Sequence, residues 1–276
     1  MKVSVIIPTF NRANLVKRAI LSVLNQTYKD FELIVVDDGS FDNTKDVLRS
    51  IRDLRLKTIF LDKNMGVSAA RNIGIKESRG EVIALLDSDD EWLEKKLETH
   101  LAFHIQGQFI ISQTEEVWIR KGKRVNPKNI HRKKAGWIFE PSLKLCLVSP
   151  SCVMFNRELI REVGLFDENL AACEDYDMWL RVSLRYPIGL CPYPLVIRYG
   201  GRIDQLSSKI IGLDLYRIYS LIKILRNETL DDDQLKALKD MLKIRSRRYI
   251  MGCLKRGKIE EALRVKKLIE NFVSLP

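Results

Sequence analysis

The sequence predicts an α/β fold with a mostly parallel sheet flanked by helices, and three observations carry that expectation. Within the first 90 residues, short apolar runs alternate with segments of helical period in the order β-α-β-α-β-α-β. Polar clusters follow three of the strand-like runs: Pro8-Thr9-Phe10, Asp37-Asp38-Gly39-Ser40 and Asp87-Ser88-Asp89-Asp90. In open parallel sheets ligands sit beyond the carboxyl ends of the strands, so these clusters mark a candidate site. Finally, 46% apolar and 30% charged residues over 276 positions suit a globular chain with a sizeable core and exclude a disordered, collagen-like or coiled-coil body.

The elements follow in order. Val3–Ile7 reads as a strand ended by Pro8, and Leu15, Ile20, Val23 and Leu24 mark a helix capped by Asn14. Phe31–Val36 is a buried strand, and Asp42 or Asn43 caps the helix carrying Val47, Leu48 and Ile51. Leu56–Leu61 is the third strand, Gly66 opens a helix over Val67–Ser78, and Glu81–Leu86 is the fourth strand. Beyond it, Phe109–Ser112, Glu116–Arg120 and Ser151–Asn156 read as strands, and Arg157–Val163 and Cys173–Arg185 as helices. Lys121–Gly136 has no apolar periodicity and reads as a charged loop. Leu213–Leu225 and two further helices between Asp231 and Phe272, joined near Gly257-Lys258, complete the chain. Their apolar residues Leu238, Leu242, Ile250, Leu254, Leu263 and Leu268 are expected to pack together and against the body, with a membrane-facing role as the alternative.

The net charge of +11 is local. Arg120 to Lys134 holds eight Lys/Arg and no acid, and residues 201–276 hold 17 basic against 10 acidic residues. Such basicity suits an anionic acceptor or membrane surface, the alternative being a solvated loop. Cys146, Cys152, Cys173, Cys191 and Cys253 are odd in number and lack a CxxC pair, so neither a disulfide framework nor a structural zinc site is expected. No apolar run reaches the length of a membrane span, and the opening MKVSVIIPTF is interrupted too soon for a signal peptide. A cytoplasmic location, with peripheral contact at the inner membrane face left open, is the expectation.

Like charges repel, so Asp87, Asp89 and Asp90 at one strand end call for a cation or a proton. Carboxylate oxygens suit Mg²⁺ or Mn²⁺. The alternative is a solvated turn whose Asp caps a helix starting at Glu91. For Asp37-Asp38, an Asx-turn accounts for one acid and leaves the other to accept hydrogen bonds from a ligand.

Five segments together resemble glycosyltransferase family 2: VSVIIPTFNR at 3–12, VVDDGSFDNT at 35–44, NMGVSAARNIGI at 64–75, the Asp87–Asp90 cluster, and Glu174-Asp175 within CEDYDMWLR. The resemblance spans about residues 1–200 and implies a Rossmann-like GT-A fold, a nucleotide-diphosphate sugar donor, a divalent metal and inverting transfer to a glycan, lipid-linked or other hydroxyl acceptor. It implies a catalytic domain over 1–205, with its nucleotide half at 1–100 and its acceptor half at 101–205, and the helical pattern after Gly201 makes 206–276 a helical extension. By the same resemblance Pro8, Thr9 and Phe10 form the first nucleotide-contacting loop, and Asp38, beside Asp37, faces the base N–H. Arg71 reaches the nucleotide, and Asp87 and Asp89 serve the nucleotide-sugar side. Asp90 is the first choice as metal ligand, with Asp89 in the alternative register. Asp175 resembles the catalytic base and Glu174 its alternative. The His that many relatives carry after Gly200 is missing, and Arg198, Tyr199 and Arg202 occupy the region.

The chemistry agrees. A cation bridging the diphosphate stabilises the leaving group, and one base with no evident nucleophile suits a single in-line displacement. Other classes fit less well. No GxGxxG follows the first strand, and Gly252–Lys258 lacks the Ser/Thr of a phosphate-binding loop. A sugar-nucleotide nucleotidyltransferase calls for a Gly-rich basic loop after the first strand. A non-catalytic nucleic-acid binder explains the charge but not the acids at strand ends, so no nucleic acid is expected as partner.

Overall fold

The computed structural model describes residues 1–126, 128–201 and 210–273. Among these, nine strands form one sheet in the order β3-β2-β1-β4-β8-β6-β9-β5, with β7 paired to β6. The first four are β1 (Val3–Thr9), β2 (Phe31–Asp37), β3 (Leu56–Phe60) and β4 (Val82–Leu85), all mutually parallel. Helices α1 (Ala13–Leu24), α2 (Thr44–Ser50) and α3 (Val67–Glu77) connect them, so the predicted alternation holds with small shifts at the ends. The period of two sorts the apolar side chains: Val5 and Ile7 pack with Val16, Ile20 and Val23 of α1, while Ile6 joins Ile83 and Leu85 on the other face. Each such fully buried branched side chain contributes roughly 1.5–3 kcal/mol. Gly74 lets α3 lie directly on the sheet, because a Cβ there would meet Ile6 Cγ2 at 2.4 Å.

The second half is mixed. Strand β5 (Glu91–Trp92) and helix α4 (Lys96–Gln106) follow the acidic cluster, so no helix starts at Glu91. Glu91 and Trp92 pair with β9 instead. Strand β6 (Ile111–Arg120) is continuous where two strands were expected, with an irregular register around Glu115. The charged loop is also structured: β7 (Lys123–Val125) closes a hairpin on β6, and a 3₁₀ turn spans Asn129–His131. Helix α5 (Phe139–Lys144), a 3₁₀ turn at Pro150–Cys152, β8 (Val153–Asn156), α6 (Glu158–Val163) and α7 (Glu174–Ser183) follow. The long strand β9 (Gly189–Gly200), parallel to β6, went unread in the sequence because Pro192 and Pro194 interrupt its pattern.

Three helices close the described chain: α8 (Asp214–Asn227), α9 (Asp232–Lys255) and α10 (Ile259–Ile269). Asp231 caps α9 by accepting from Gln234 N in a capping box. Their core is continuous with α5 and α7: Phe139, Leu143, Tyr176 and Leu180 pack with Ile218, Leu221, Leu238 and Leu242. Ile250 and Leu268 are half-buried against this cluster, but Leu254 and Leu263 do not pack as expected and are exposed. The expected boundary near 205 and Arg202 lie outside the described residues. Among the described residues no helix is long and apolar enough to cross a membrane.

Candidate active site

The carboxyl end of the parallel strands is built from three crossed loops. The first turn of α1 lacks a cap of its own. Asn14 lies inside the helix, and the β2–α2 loop supplies the acceptors: Ser40 Oγ for Asn11 N (2.8 Å), Thr44 Oγ1 for Arg12 N (3.0 Å) and Asp42 Oδ2 for Ala13 N (3.4 Å). Asp42 Oδ1 also accepts from Thr44 N at 2.9 Å. Asp38 closes the third loop. Its Oδ1 accepts from Met65 N (2.7 Å), and its Oδ2 from Gly66 N (2.8 Å) and Asn64 Nδ2 (3.0 Å). Burial dominates those bonds, with the Asp37 charge adding to it, and raises the Asp38 pKa above the usual range. Gly39, at φ 73°, permits this crossing, since a Cβ there would meet the Lys63 carbonyl carbon at 2.5 Å.

Asp37 accepts from Ser40 N through Oδ1 (3.2 Å), while its buried Oδ2 has no hydrogen-bond partner among the described residues. The same is true of Thr9 Oγ1, on the residue paired with Asp37 across β1 and β2, and of Ser68 Oγ in the first turn of α3. Buried polar atoms left unpaired are costly, so three of them around one strand-end crevice point to a ligand. Pro8 lies within β1, and Phe10 beyond it meets Phe41 edge-on with ring centroids 5.9 Å apart.

The Asp87–Asp90 cluster is held by groups from distant segments. Arg12 Nη1 lies 3.3 Å from Asp89 Oδ2, and Arg18 Nη2 donates to the Asp89 carbonyl at 2.6 Å. Asp90 accepts from Ser151 Oγ (2.6 Å) and from Tyr199 N (3.1 Å). Burial first, then the charges of Asp89 and Asp87, push the Asp90 pKa up to about 8 against the Ser151 bond and Arg198. Arg71 is buried and bridges Asp87 Oδ1 and Glu174 Oε1, each at 2.7 Å. Burial alone would lower its pKa, but the two carboxylates outweigh that and raise it. Glu174 moves upward, through burial and the Asp175 charge, against the pull of Arg71.

Arg71 thereby draws α7 to the end of β4. Cys173, in the left-handed region at φ 59°, turns the chain so that Glu174 and Asp175 open the helix, whose N-terminus favours negative charge. Glu174 is buried in its ion pair, whereas Asp175 is half-exposed and accepts from Tyr176 N at 2.7 Å. Asp177, on the same turn, is structural: its Oδ2 meets Arg181 Nε at 3.0 Å and Lys223 Nζ at 2.8 Å, tying α7 to α8.

The predicted residues therefore fall into two groups at one end of the sheet. Thr9, Asp37 and Asp38 sit at the carboxyl ends of the paired strands β1 and β2, while Arg71, Asp87, Asp89, Asp90, Glu174 and Asp175 gather at β4 and α7. Ser151 and the Tyr199 N–H went unpredicted, because a lone serine and a main-chain N–H carry no sequence signal, and Arg12, although it ends the 3–12 segment, was given no role there. The donor set suits a divalent cation shared with a bound diphosphate. Asp89 and the partly exposed Asp87 offer hard oxygens, and Mg²⁺ usually takes one or two carboxylates plus substrate phosphates. An all-protein cage is a different matter, since no group of three or more His, Cys, Asp or Glu side chains is so disposed among the described residues.

A profile of the family described as Glycosyl transferase family 2 matches residues 4–164. The chain belongs to glycosyltransferase family 2. It is 39% identical over 189 residues to an uncharacterized glycosyltransferase of Rickettsia bellii, covering 68% of this chain but 27% of that one. The chain thus spans under a third of that relative's length. The Escherichia coli protein WfgD, named a UDP-Glc:alpha-D-GlcNAc-diphosphoundecaprenol beta-1,3-glucosyltransferase, is 33% identical over 187 residues, covering 65% of this chain and 69% of its own. Among solved structures, residues 1–349 of S. aureus TarS in complex with UDP-GlcNAc superpose with a TM-score of 0.73 at 23% identity, over 88% of this chain and 72% of that one. The fold of this family 2 chain is accordingly of the GT-A type.

Proposed function

We propose that this chain is an inverting, metal-assisted glycosyltransferase that moves a sugar from a nucleotide-diphosphate donor to an acceptor hydroxyl in cell-surface polysaccharide or glycolipid synthesis. The observation that carries the reading is the Arg71 bridge, which joins the acids after β4 to the turn bearing Asp175. The unpaired oxygens of Thr9 and Asp37 suit the nucleoside, and Phe10 with Phe41 offers a ring surface at the crevice mouth. Asp38 fixes the loop that borders this crevice. Asp87 and Asp89, with Asp90 behind them, would hold Mn²⁺ or Mg²⁺ against the diphosphate, and the bound ion supplies charge neutralisation to the departing phosphate.

Asp175 is assigned as the base that takes the acceptor proton, being the most accessible of the three acids on α7. Glu174 is assigned the positioning of Arg71. With one base assigned and no nucleophile assigned to a covalent intermediate among the described residues, attack from the face opposite the diphosphate inverts the anomeric centre. The name of WfgD favours a lipid-linked diphosphate acceptor. The test is a thermal-shift screen of nucleoside diphosphates with and without Mn²⁺, followed by NMR of the product's anomeric configuration. A ligand at 100 times its dissociation constant raises stability by ~2.7 kcal/mol. No metal-dependent shift with any nucleotide, or a retained anomer, would sink the reading.

A further inference from the structure

A cavity of about 300 Å³ is walled by Glu116 and Trp118 of β6 and by Lys128, His131, Arg132 and Lys133 of the segment after β7. Its floor is fixed. Glu116 Oε1 accepts from Trp118 Nε1 at 2.7 Å, and Glu116 Oε2 lies 3.4 Å from Lys133 Nζ and accepts from Cys152 Sγ at 3.0 Å. Lys133, counted in the sequence as part of a charged loop, is buried and also donates to the Thr114 carbonyl at 2.9 Å. Burial would raise the Glu116 pKa, but Lys133 and Arg198 hold it down to about 2, so it stays ionised. The Trp118 ring carries two guanidinium groups, Arg198 at 5.1 Å and Arg120 at 5.4 Å from its centroid.

The outer cations are unmatched. Glu116 is taken up by Lys133 and Arg198, the latter also facing Asp87 and Asp90, and no carboxylate within ion-pair distance of Lys128 or Arg132 is found among the described residues. Cations held together without matching acids bind anions, and guanidinium groups suit phosphate oxygens. The cavity also adjoins the acidic cluster. Ser151 holds Asp90 while Cys152, the next residue, holds Glu116. Tyr199 N holds Asp90 while Arg198, the preceding residue, lies 3.5 Å from Glu116.

The geometry points to this cavity as a subsite for the phosphate or diphosphate of the acceptor, with Lys128 and Arg132 as its outer cations and Trp118 positioning Arg120 and Arg198. The assignment of the anion to the acceptor rests on the function proposed above. The existence of the anion site does not.

The test uses the full 276-residue chain. Inorganic pyrophosphate is titrated calorimetrically into the wild type, a Lys128→Gln/Arg132→Gln double variant and Asp89→Asn, in EDTA and in Mn²⁺. Both outer cations are exposed, so the double variant is expected to keep the wild-type melting temperature. Binding in EDTA that weakens by about tenfold or more in the double variant and persists in Asp89→Asn supports the subsite. It is overturned by no binding in EDTA at millimolar pyrophosphate, by equal affinity in the double variant, or by binding that needs Mn²⁺ and vanishes in Asp89→Asn. A second arm compares a monomeric alkyl-linked N-acetylglucosamine diphosphate with phosphatidylglycerol vesicles. Loss of the soluble diphosphate in the double variant supports the subsite, and loss confined to vesicles assigns the cations to a bilayer instead. If the wild type turns over no donor, the pyrophosphate arm still decides the site. If it does, an unchanged ratio of KM for acceptors with and without the diphosphate overturns the acceptor assignment.

Discussion

In the parallel half of the sheet, Asp38 gives both carboxylate oxygens to one neighbouring loop, chiefly to its main chain. At the border with the mixed half, Asp87, Asp89 and Asp90 are held by side chains and one main-chain N–H from residues 12, 71, 151 and 199. Two acidic strand ends that look alike in sequence are thus used differently. The first shapes the crevice through short-range bonds, and the second gathers the machinery from across the fold. Substitutions at the first should act on the loop and on nucleotide affinity, and substitutions at the second on metal-dependent donor binding, on the chemical step and, through the buried Arg71 pair, on stability as well.

The largest effect expected is at α7. Asp175→Asn should lower transfer by ~10²–10⁴-fold while leaving nucleotide affinity at the wild-type value, as a base acts on the acceptor proton. Glu174→Gln should retain more transfer and lose more stability, because Arg71 then keeps one carboxylate instead of two. Single-turnover rates beside nucleotide titrations separate the two, and a reversed pattern exchanges their roles.

Next comes the bridge. Arg71→Met leaves Glu174 buried beside Asp175 without its cation, and breaking a buried pair on one side costs about 3–5 kcal/mol. The double variant Arg71→Met/Glu174→Met should recover part of that stability, because no uncompensated buried charge remains, yet stay inactive. Urea denaturation measures both. Full recovery of activity would show that the bridge does not organise the site.

Asp38→Ala should cost less, about 1–3 kcal/mol, since the donors of the 64–66 loop are partly exposed and water replaces the carboxylate. Nucleotide affinity should fall with it as the loop loosens. A variant with wild-type stability and affinity would remove the distinction drawn between the two strand ends.

The comparison also explains what the sequence disclosed. The β-α alternation of residues 1–90 follows from local patterns, and its acids stand beside the strands they follow, so the succession of strands and the edge of the candidate site were both readable. The mixed half depends on pairings between remote segments. Strand β9 carries two prolines, half of the residues of the β6–β7 hairpin over 118–125 are charged, and Lys133 is indistinguishable in sequence from its solvated neighbours. Burial of Lys133 against Glu116 is decided by tertiary contacts alone. The pairing of Glu174 with Arg71, 103 residues away, was hidden for the same reason.

The last effect expected is one of pH and lies between the halves, under β6. Lys96 is buried there over the Trp92 ring (4.2 Å), with Nζ 3.0 Å from His100 Nδ1. His100 and His104 share Ser112 Oγ, at 2.9 and 2.8 Å, and Cys152, Cys191 and Lys133 lie around them. Burial, with Cys152 and Cys191 opposing and Lys133 adding, lowers the Lys96 pKa to about 7 from 10.5. Between those two values the unfolded chain holds the proton that the folded chain has released. Stability from this group therefore rises with pH across that window, and one pKa unit corresponds to about 1.4 kcal/mol. Burial lowers the His100 pKa as well, so acidification below its free value of 6.5 destabilises in the same sense. Lys96→Met removes the first contribution whatever constant penalty it brings to His100. The stability difference between wild type and Lys96→Met should therefore shift in favour of the wild type as pH rises from about 7 to 10. Denaturant midpoints at intervals across that range measure the shift. A constant difference would mean that Lys96 stays charged in the folded protein, balanced by groups of the mixed half, and that this half tolerates a buried ammonium as readily as it holds its carboxylates.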